Sequence, residues 1–257
     1  MRLSILVGQV PAVWDVRVNL ATARDVVSEA RQGDVVVLPE GLLSGYGEDL
    51  GPLGGLDARE LAAAVGELRE LACDSKVHIL CGSLLPEDGD WVNAGLYFAA
   101  DGGPVHVYRK INLAMNERKT LRAGDRLTTF GLRSGGKSEV AAMQLCREIR
   151  FPEQWQHLSA SGARVLFYLT NAANPSEPDG VWRSHLVSRA AENQRFVVSA
   201  NIPDPAQHCP SMIVSPRGEV VADLPMGAPG LLRHTIDLAE VSDWYLGQRR
   251  TDVIRLA

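Results

Sequence analysis

The chain has 257 residues, 46% of them hydrophobic and 22% charged, which is enough for one large domain and short for two. A net charge of -5 without runs of like charge disfavours nucleic acid or an anionic membrane surface as a partner. Four scattered cysteines (Cys73, Cys81, Cys146 and Cys209) lack CxxC spacing, which argues against a disulfide framework or a zinc site.

The amino terminus, MRLSILVGQVPAVWD, reaches Gln9 and Pro11 too soon for a signal-peptide core. No later segment holds the roughly 18 consecutive apolar residues of a membrane span. The expectation is a soluble, cytoplasmic protein with reduced thiols. Leu3 to Val10 reads as a first strand, followed by a helical pattern from Arg17 to Arg31. After the Gly33-Asp34 break, Val35-Val36-Val37-Leu38 is a short apolar run typical of a strand buried on both faces. It stops at Pro39-Glu40. A carboxylate there is costly to desolvate unless something uses it, although a glutamate that merely reaches solvent fits equally well.

Asp57 opens a helix running to about Ser75, and Val77 to Leu84 reads as a strand. Cys73 and Cys81 sit in apolar settings and read as structural. Trp91 to Ala100 and Val105 to Arg109 form two strands across the Asp101-Gly102-Gly103 turn, and the second ends at Lys110. Asn112 to Asp125 is irregular and carries Glu117. Leu127 to Leu132 and Ser138 to Leu145 then form a hairpin across Ser134-Gly135-Gly136-Lys137. Residues Gly131 to Ser138 also fit G-x-x-x-x-G-K-[ST], the phosphate-binding P-loop. That motif needs an apolar parallel strand before it and a helix after it. Arg126-Leu127-Thr128-Thr129-Phe130 is too polar for a central strand, so nucleotide binding stands as a distant alternative.

The chain is organised around AAMQLCREIRFPEQW, residues 141–155. An apolar run stops at Cys146, Arg147-Glu148-Ile149-Arg150 forms a tight link, and Pro152 with Glu153 starts a helix. Strand, cysteine, tight link and helix place a thiol at the carboxyl end of a buried strand, where N–H groups of the link can face a substrate. A lone cysteine is more often structural, but charged residues follow this one at once, so it lies at the core's edge and is the best nucleophile candidate.

The helix from Pro152 to about Ser161 leads into the strand Val165 to Leu169, which ends at Thr170-Asn171. Val181 to Gln194 is helical, and Arg195 to Ala200 is a strand ending at Asn201. Met212 to Val214 and Glu219 to Leu224 form a hairpin, Leu231 to Ile236 closes the sheet region, and Trp244 to Ala257 is a surface-docked tail. Strands alternate with helices almost throughout, so the fold class is α/β. A thiol needs a base, and the usual partner is histidine. None of the six histidines ends an apolar strand. His208, in a loop beside Cys209-Pro210, stays open as a base; otherwise Glu40 is the candidate, with Lys110 supplying positive charge for a thiolate and an oxyanion.

VVVLPE around Glu40, YRKINL around Lys110 and LCREIRFPE around Cys146, in that chain order, resemble the three catalytic signatures of the nitrilase superfamily of carbon–nitrogen hydrolases. Glu117 stands where that family has a second glutamate. Arg189-Ala190-Ala191-Glu192-Asn193 is similar to its RAxEN helix, and Ser211 to Val221 to its S-I-x-x-P-x-G-E hairpin. The resemblance implies a four-layer α-β-β-α sandwich spanning residues 1–257 as a single domain, with 243–257 as a C-terminal tail. It also implies a homodimer or higher homo-oligomer, and no metal or organic cofactor. By position, Glu40 is the base, Cys146 the nucleophile, and Lys110 with the backbone N–H of Arg147 the oxyanion holders. Glu117 positions a water or its neighbours, and Tyr46 and Asn171 are substrate-binding candidates. Arg189, Glu192 and Asn193 are expected to hold their helix to the core.

Two departures bear on the pocket. The family often has an aromatic residue and then an aspartate after the cysteine, where this chain has Arg147-Glu148. Small glycines often precede its hairpin serine, where Cys209-Pro210 stand here. Both pairs are expected to border the pocket. Arg147 would favour an acidic substrate if its side chain faced that pocket, and a solvated arginine is the plainer reading. The missing spans exclude the membrane-embedded acyltransferase branches, and the length excludes a fused synthetase. The expected activity is hydrolysis of a small primary amide, ω-amidase-like, through a cysteine thioester. An N-carbamoyl amide hydrolase, a nitrilase and a non-catalytic binding module are the alternatives.

Overall fold

The computed structural model of the chain describes residues 1–134, 136–171, 177–250 and 252–253. The amino-terminal half builds one sheet from β1 (Arg2–Gln9), β2 (Val35–Val37), β3 (His78–Glu87), β4 (Asp90–Phe98) and β5 (His106–Arg109), with helices α1 (Val16–Ser28) and α2 (Ala58–Ser75) between strands. The second sheet holds β6 (Thr129–Ser134), β7 (Lys137–Leu145), β8 (Val165–Leu169), β9 (Phe196–Ala200), β10 (Met212–Val214) and β11 (Val220–Asp223), with α3 (Pro152–Ala160) and α4 (Val181–Asn193) as its helices. The chain then returns to the first sheet as β12 (Gly230–Asp237) and ends in a short helix, α5 (Trp244–Gly247).

The two sheets repeat one plan. Their orders are β12-β1-β2-β3-β4-β5 and β6-β7-β8-β9-β10-β11. In each, three central strands run parallel, flanked by one antiparallel strand on one side and two on the other. Because side chains alternate along a strand, each sheet buries both faces. Val35 and Val37 point toward Ala141, Met143, Phe167 and Val198 of the opposite sheet, in the core between the layers. Val36 and Leu38 pack instead with Leu20, Ala23, Leu61 and Leu68 of α1 and α2. Leu166, Tyr168 and Val197 meet Trp155, Leu158 and Leu186 of α3 and α4 on the far side. The result is the expected α-β-β-α sandwich.

Local chemistry sets the helix starts. Asp15 accepts from Arg17 N and Val18 N, and Asp57 from Arg59 N and Glu60 N, each cap contributing about 1 kcal/mol. Pro152 occupies the first turn of α3. The extent of one strand differs from the expectation. β3 runs past Leu84 to Glu87 and turns into β4 through Asp88-Gly89, both at positive φ (+53° and +89°). That is the backbone a two-residue hairpin requires, hidden in a polar stretch because the strand end is solvated. The P-loop reading fails: Lys137 and Ser138 lie in β7, paired antiparallel with β6, so an extended strand stands where a P-loop needs a helix. Gly135, within that motif, lies outside the described residues. In the expected tail, Tyr245 N donates to Gln194 Oε1 at 3.0 Å and Arg195 Nη2 donates to Asp243 Oδ1, while residues 251 and 254–257 lie outside the described ones.

Candidate active site

The carboxyl ends of β2 and β5 lie at one edge of the first sheet, and those of β7 and β8 at the facing edge of the second. Parallel strands commonly present polar groups to a ligand there. Glu40 follows β2 by way of Leu38 and Pro39. β3 crosses directly beneath it at Gly82, where an added Cβ would lie 2.4 Å from Glu40 Cα. Glu40 is fully buried. Its Oε1 accepts from Lys110 Nζ at 2.8 Å and from Asn93 Nδ2 at 2.8 Å, and its Oε2 from Asn171 N at 3.0 Å.

Lys110, the residue after β5, has its Nζ 2.8 Å from Glu40 and 2.9 Å from Glu117, with all three side chains removed from solvent. Glu117 comes from a 3₁₀ turn, Glu117–Lys119. It accepts from Tyr46 OH at 2.8 Å, Asn93 Nδ2 at 2.6 Å and Ala114 N at 2.5 Å. Asn93 therefore uses its two amide hydrogens on the two carboxylates, and Lys110 lies between them.

Two carboxylates around one ammonium do not titrate alike. Burial raises the Glu40 pKa, opposed by Lys110 and reinforced by the charge of Glu117. Burial also acts on Glu117, but Lys110, Asn93 and Ala114 N together hold its pKa below the usual carboxylate range. Burial works against charge on Lys110, and the surrounding Glu40, Tyr46 and Glu117 outweigh it, so its pKa lies well above normal. Glu117 is thus the carboxylate held ionised beside Lys110, and Glu40 the one whose pKa is raised.

Cys146 begins a 3₁₀ turn, Cys146–Arg150, directly after β7. Its φ of +38° is one of four positive values among described non-glycine residues and reverses the chain within one residue. The Cys146 carbonyl accepts from Tyr168 OH at 2.5 Å, and that hydroxyl accepts from Trp182 Nε1 at 3.0 Å. Burial, then the charges of Glu40 and Glu117, push the thiol pKa up, and Lys110 pulls it down. The three groups are therefore within electrostatic reach of the sulfur, and without substrate the thiol keeps its proton. The first N–H groups of such a turn, that of Arg147 included, have no intrahelical acceptor.

Tyr46 and Asn171 both reach the cluster. Tyr46 OH is bound to Glu117, with the ring 5.8 Å from Lys110 Nζ, and Asn171 Nδ2 donates to Tyr46 O at 3.3 Å. Arg189 clamps Ile149 O through Nε at 3.1 Å and Nη2 at 2.9 Å, bonds Glu192, and so holds α4 to the nucleophile turn as expected. The His208 ring lies tilted against Trp182, with centroids 5.5 Å apart. Glu148 is fully buried with both carboxylate oxygens on protein donors, and Cys209 is buried in the α3–α4 core with its carbonyl accepting from Asn201 Nδ2 at 2.7 Å. Arg147 is half-buried, its Nε has no hydrogen-bond partner, and no described carboxylate pairs with its guanidinium. Among the described residues, no group of three or more His, Cys, Asp or Glu side chains is arranged to hold a metal ion. No helix among them is long and apolar enough to cross a membrane.

The sequence reading passed over Asn93 and Tyr168. An asparagine between Val92 and Ala94 in a buried strand is a usable signal, because such a side chain needs partners. Tyr168 carries no such signal within the apolar run of β8.

Fold and site together define an α-β-β-α sandwich with a glutamate, a lysine and a cysteine at facing strand ends. The carbon–nitrogen hydrolase family profile matches residues 5–245, and the chain belongs to that family. It is 34% identical over 227 residues to the 2-oxoglutaramate amidase of Bacillus subtilis, covering 85% of this chain and 83% of that protein. It is 26% identical over 253 residues to the 2-oxoglutaramate amidase of Paenarthrobacter nicotinovorans, covering 91% and 84%. An amidase from Nesterenkonia sp. AN1, solved with the acetamide moiety of fluoroacetamide added covalently at its active-site cysteine, shares the fold. Its TM-score is 0.84 at 23% identity, over 98% of this chain and 95% of that one.

Proposed function

We propose that this carbon–nitrogen hydrolase cleaves the primary amide of a small acid through a thioester on Cys146. The observation that carries the reading is the buried Lys110 ammonium, 2.8 Å from Glu40 and 2.9 Å from Glu117, acting electrostatically on the Cys146 thiol. In this reading Glu40 takes the thiol proton as sulfur attacks the amide carbon. Lys110 Nζ and Arg147 N–H hold the oxyanion, where preorganised donors act most strongly. The tetrahedral intermediate collapses, and Glu40 returns its proton to the departing ammonia. Glu40 then deprotonates a water positioned with the help of Glu117. That water cleaves the thioester, releasing the carboxylic acid and restoring the thiol.

Two observations support an acidic substrate: two relatives are named for acting on 2-oxoglutaramate, and among the described residues no carboxylate pairs with the guanidinium of Arg147, the residue after Cys146. The four cysteines are unpaired, which fits a cytoplasmic location, and the family resemblance supports a homodimer. The test is a panel of carboxylated and neutral amides, N-carbamoyl compounds and nitriles, with the Cys146 peptide followed by mass spectrometry. An acyl adduct and ammonia release from the amides alone support the reading. Amide hydrolysis that survives Cys146→Ala ends it.

A further inference from the structure

Glu148 has no step in that mechanism, yet its carboxylate is fully buried two residues beyond the nucleophile. Its Oε1 accepts from Tyr108 OH at 2.7 Å, Ile111 N at 2.8 Å and Asn112 N at 3.2 Å. Its Oε2 accepts from Leu145 N at 2.9 Å. Ile111 directly follows Lys110, and Leu145 directly precedes Cys146. One side chain therefore joins the backbone that carries the ammonium, at the end of the first sheet, to the backbone that carries the thiol, at the end of the second. Its own main chain is anchored as well, with Trp155 Nε1 donating to Glu148 O at 2.9 Å.

We propose that Glu148 is a positioning residue that fixes the separation of the Lys110 ammonium and the Cys146 thiol, and that it does so only as a carboxylate. The proposal rests on the thiol reading of Cys146 but not on the identity of the substrate. All four partners present a hydrogen to Glu148, and a neutral carboxylic acid, a weaker acceptor than a carboxylate, would hold them less firmly. Tyr108 from β5 and Lys110 just beyond it face Glu148, the Cys146 thiol lies two residues away, and Arg189 from α4 grips the adjoining Ile149 carbonyl. Burial pushes the Glu148 pKa up to about 7, against the hydrogen bonds from Leu145, Tyr108 and Ile111 and the charge of Lys110. The link between the two sheets therefore loosens just below neutral pH.

The test uses iodoacetamide, which alkylates Cys146 by displacement of iodide with no amide bond cleaved and is read by mass spectrometry of the Cys146 peptide. In Glu148→Gln the amide keeps the shape but turns an NH2 against a backbone N–H. Misplacement by about 1 Å costs on the order of 100-fold, so alkylation and kcat should each fall 10- to 100-fold, with KM within about threefold. The wild-type rate should rise in a step centred near pH 7 that the variant lacks. Should Glu148→Gln fold poorly, Tyr108→Phe removes one of the four donors without altering charge, and the step should move to higher pH. An unchanged alkylation rate per folded molecule, a near-neutral step retained in Glu148→Gln, or an unmoved step in Tyr108→Phe overturns the proposal. If the amide panel is inert while Glu148→Gln still slows alkylation, the substrate reading fails and the positioning role stands.

Discussion

Tyr168 donates its hydroxyl to the carbonyl of Cys146 at 2.5 Å, and so holds the one residue of the nucleophile turn whose φ is left-handed, at +38°. Such a conformation costs a non-glycine residue on the order of 1–3 kcal/mol and persists only where its surroundings enforce it. Tyr168→Phe leaves both the Cys146 carbonyl and Trp182 Nε1 without that partner. The expected result is a loss of about 1–3 kcal/mol in denaturant unfolding. A drop in kcat of about 10-fold should accompany it, with KM little changed. A variant with full kcat would mean that the turn keeps its shape unaided.

Asn93 separates two carboxylates by donating to both. In Asn93→Asp those donors become a third negative charge beside a single ammonium. The Glu40 pKa, already raised by burial, should rise further, because a like charge disfavours ionisation. Glu40 must be ionised to take the thiol proton, so the acid limb of kcat/KM should move to higher pH. A pH–rate profile checks the direction, and a shift toward lower pH would contradict the assignment of Glu40 as base.

Arg147 is predicted to read the charge of the substrate. Arg147→Gln should weaken kcat/KM for a carboxylate-bearing amide by about 10-fold, roughly 1.4 kcal/mol, and leave a neutral amide of equal length nearly unaffected. Equal losses for both substrates would assign Arg147 to the fold alone.

Glu148 links stability and activity with opposite signs. Its folded pKa is raised to about 7, so between the ordinary glutamate range and that value the native state holds a proton that the unfolded chain releases. Its contribution to stability is then largest at low pH and declines as pH rises through this window, by an order of 3 kcal/mol in total. Activity should climb over the same window. The comparison of wild type with Glu148→Gln by urea unfolding at pH 5 and pH 7.5 isolates this group from other titrations. A difference that does not change with pH would remove the linkage.

Much of the site was legible because apolar runs stop abruptly at polar residues, as at Glu40, Lys110, Cys146 and Asn171. That signal alone does not separate chemistry from architecture. Gln9 also ends a strand, yet it donates to Pro225 O and Ala228 O and accepts from Ser211 N. Order along the chain and the family resemblance made the distinction. What stayed hidden is tertiary: Glu148 reads as a surface-adjacent charge until Ile111 and Leu145 are seen converging on it, and Tyr168 reads as one more apolar residue. The β3 strand end was missed because Pro86-Glu87-Asp88-Gly89 has the composition of a loop.

Glu40 and Lys110 hang from one sheet and Cys146 from the other, so in the proposed mechanism the reacting geometry records how those two layers lie against each other. A slip between them too small to break either ladder would already silence the chemistry. On mild denaturation, catalysis should therefore fade while far-ultraviolet circular dichroism still reports intact secondary structure.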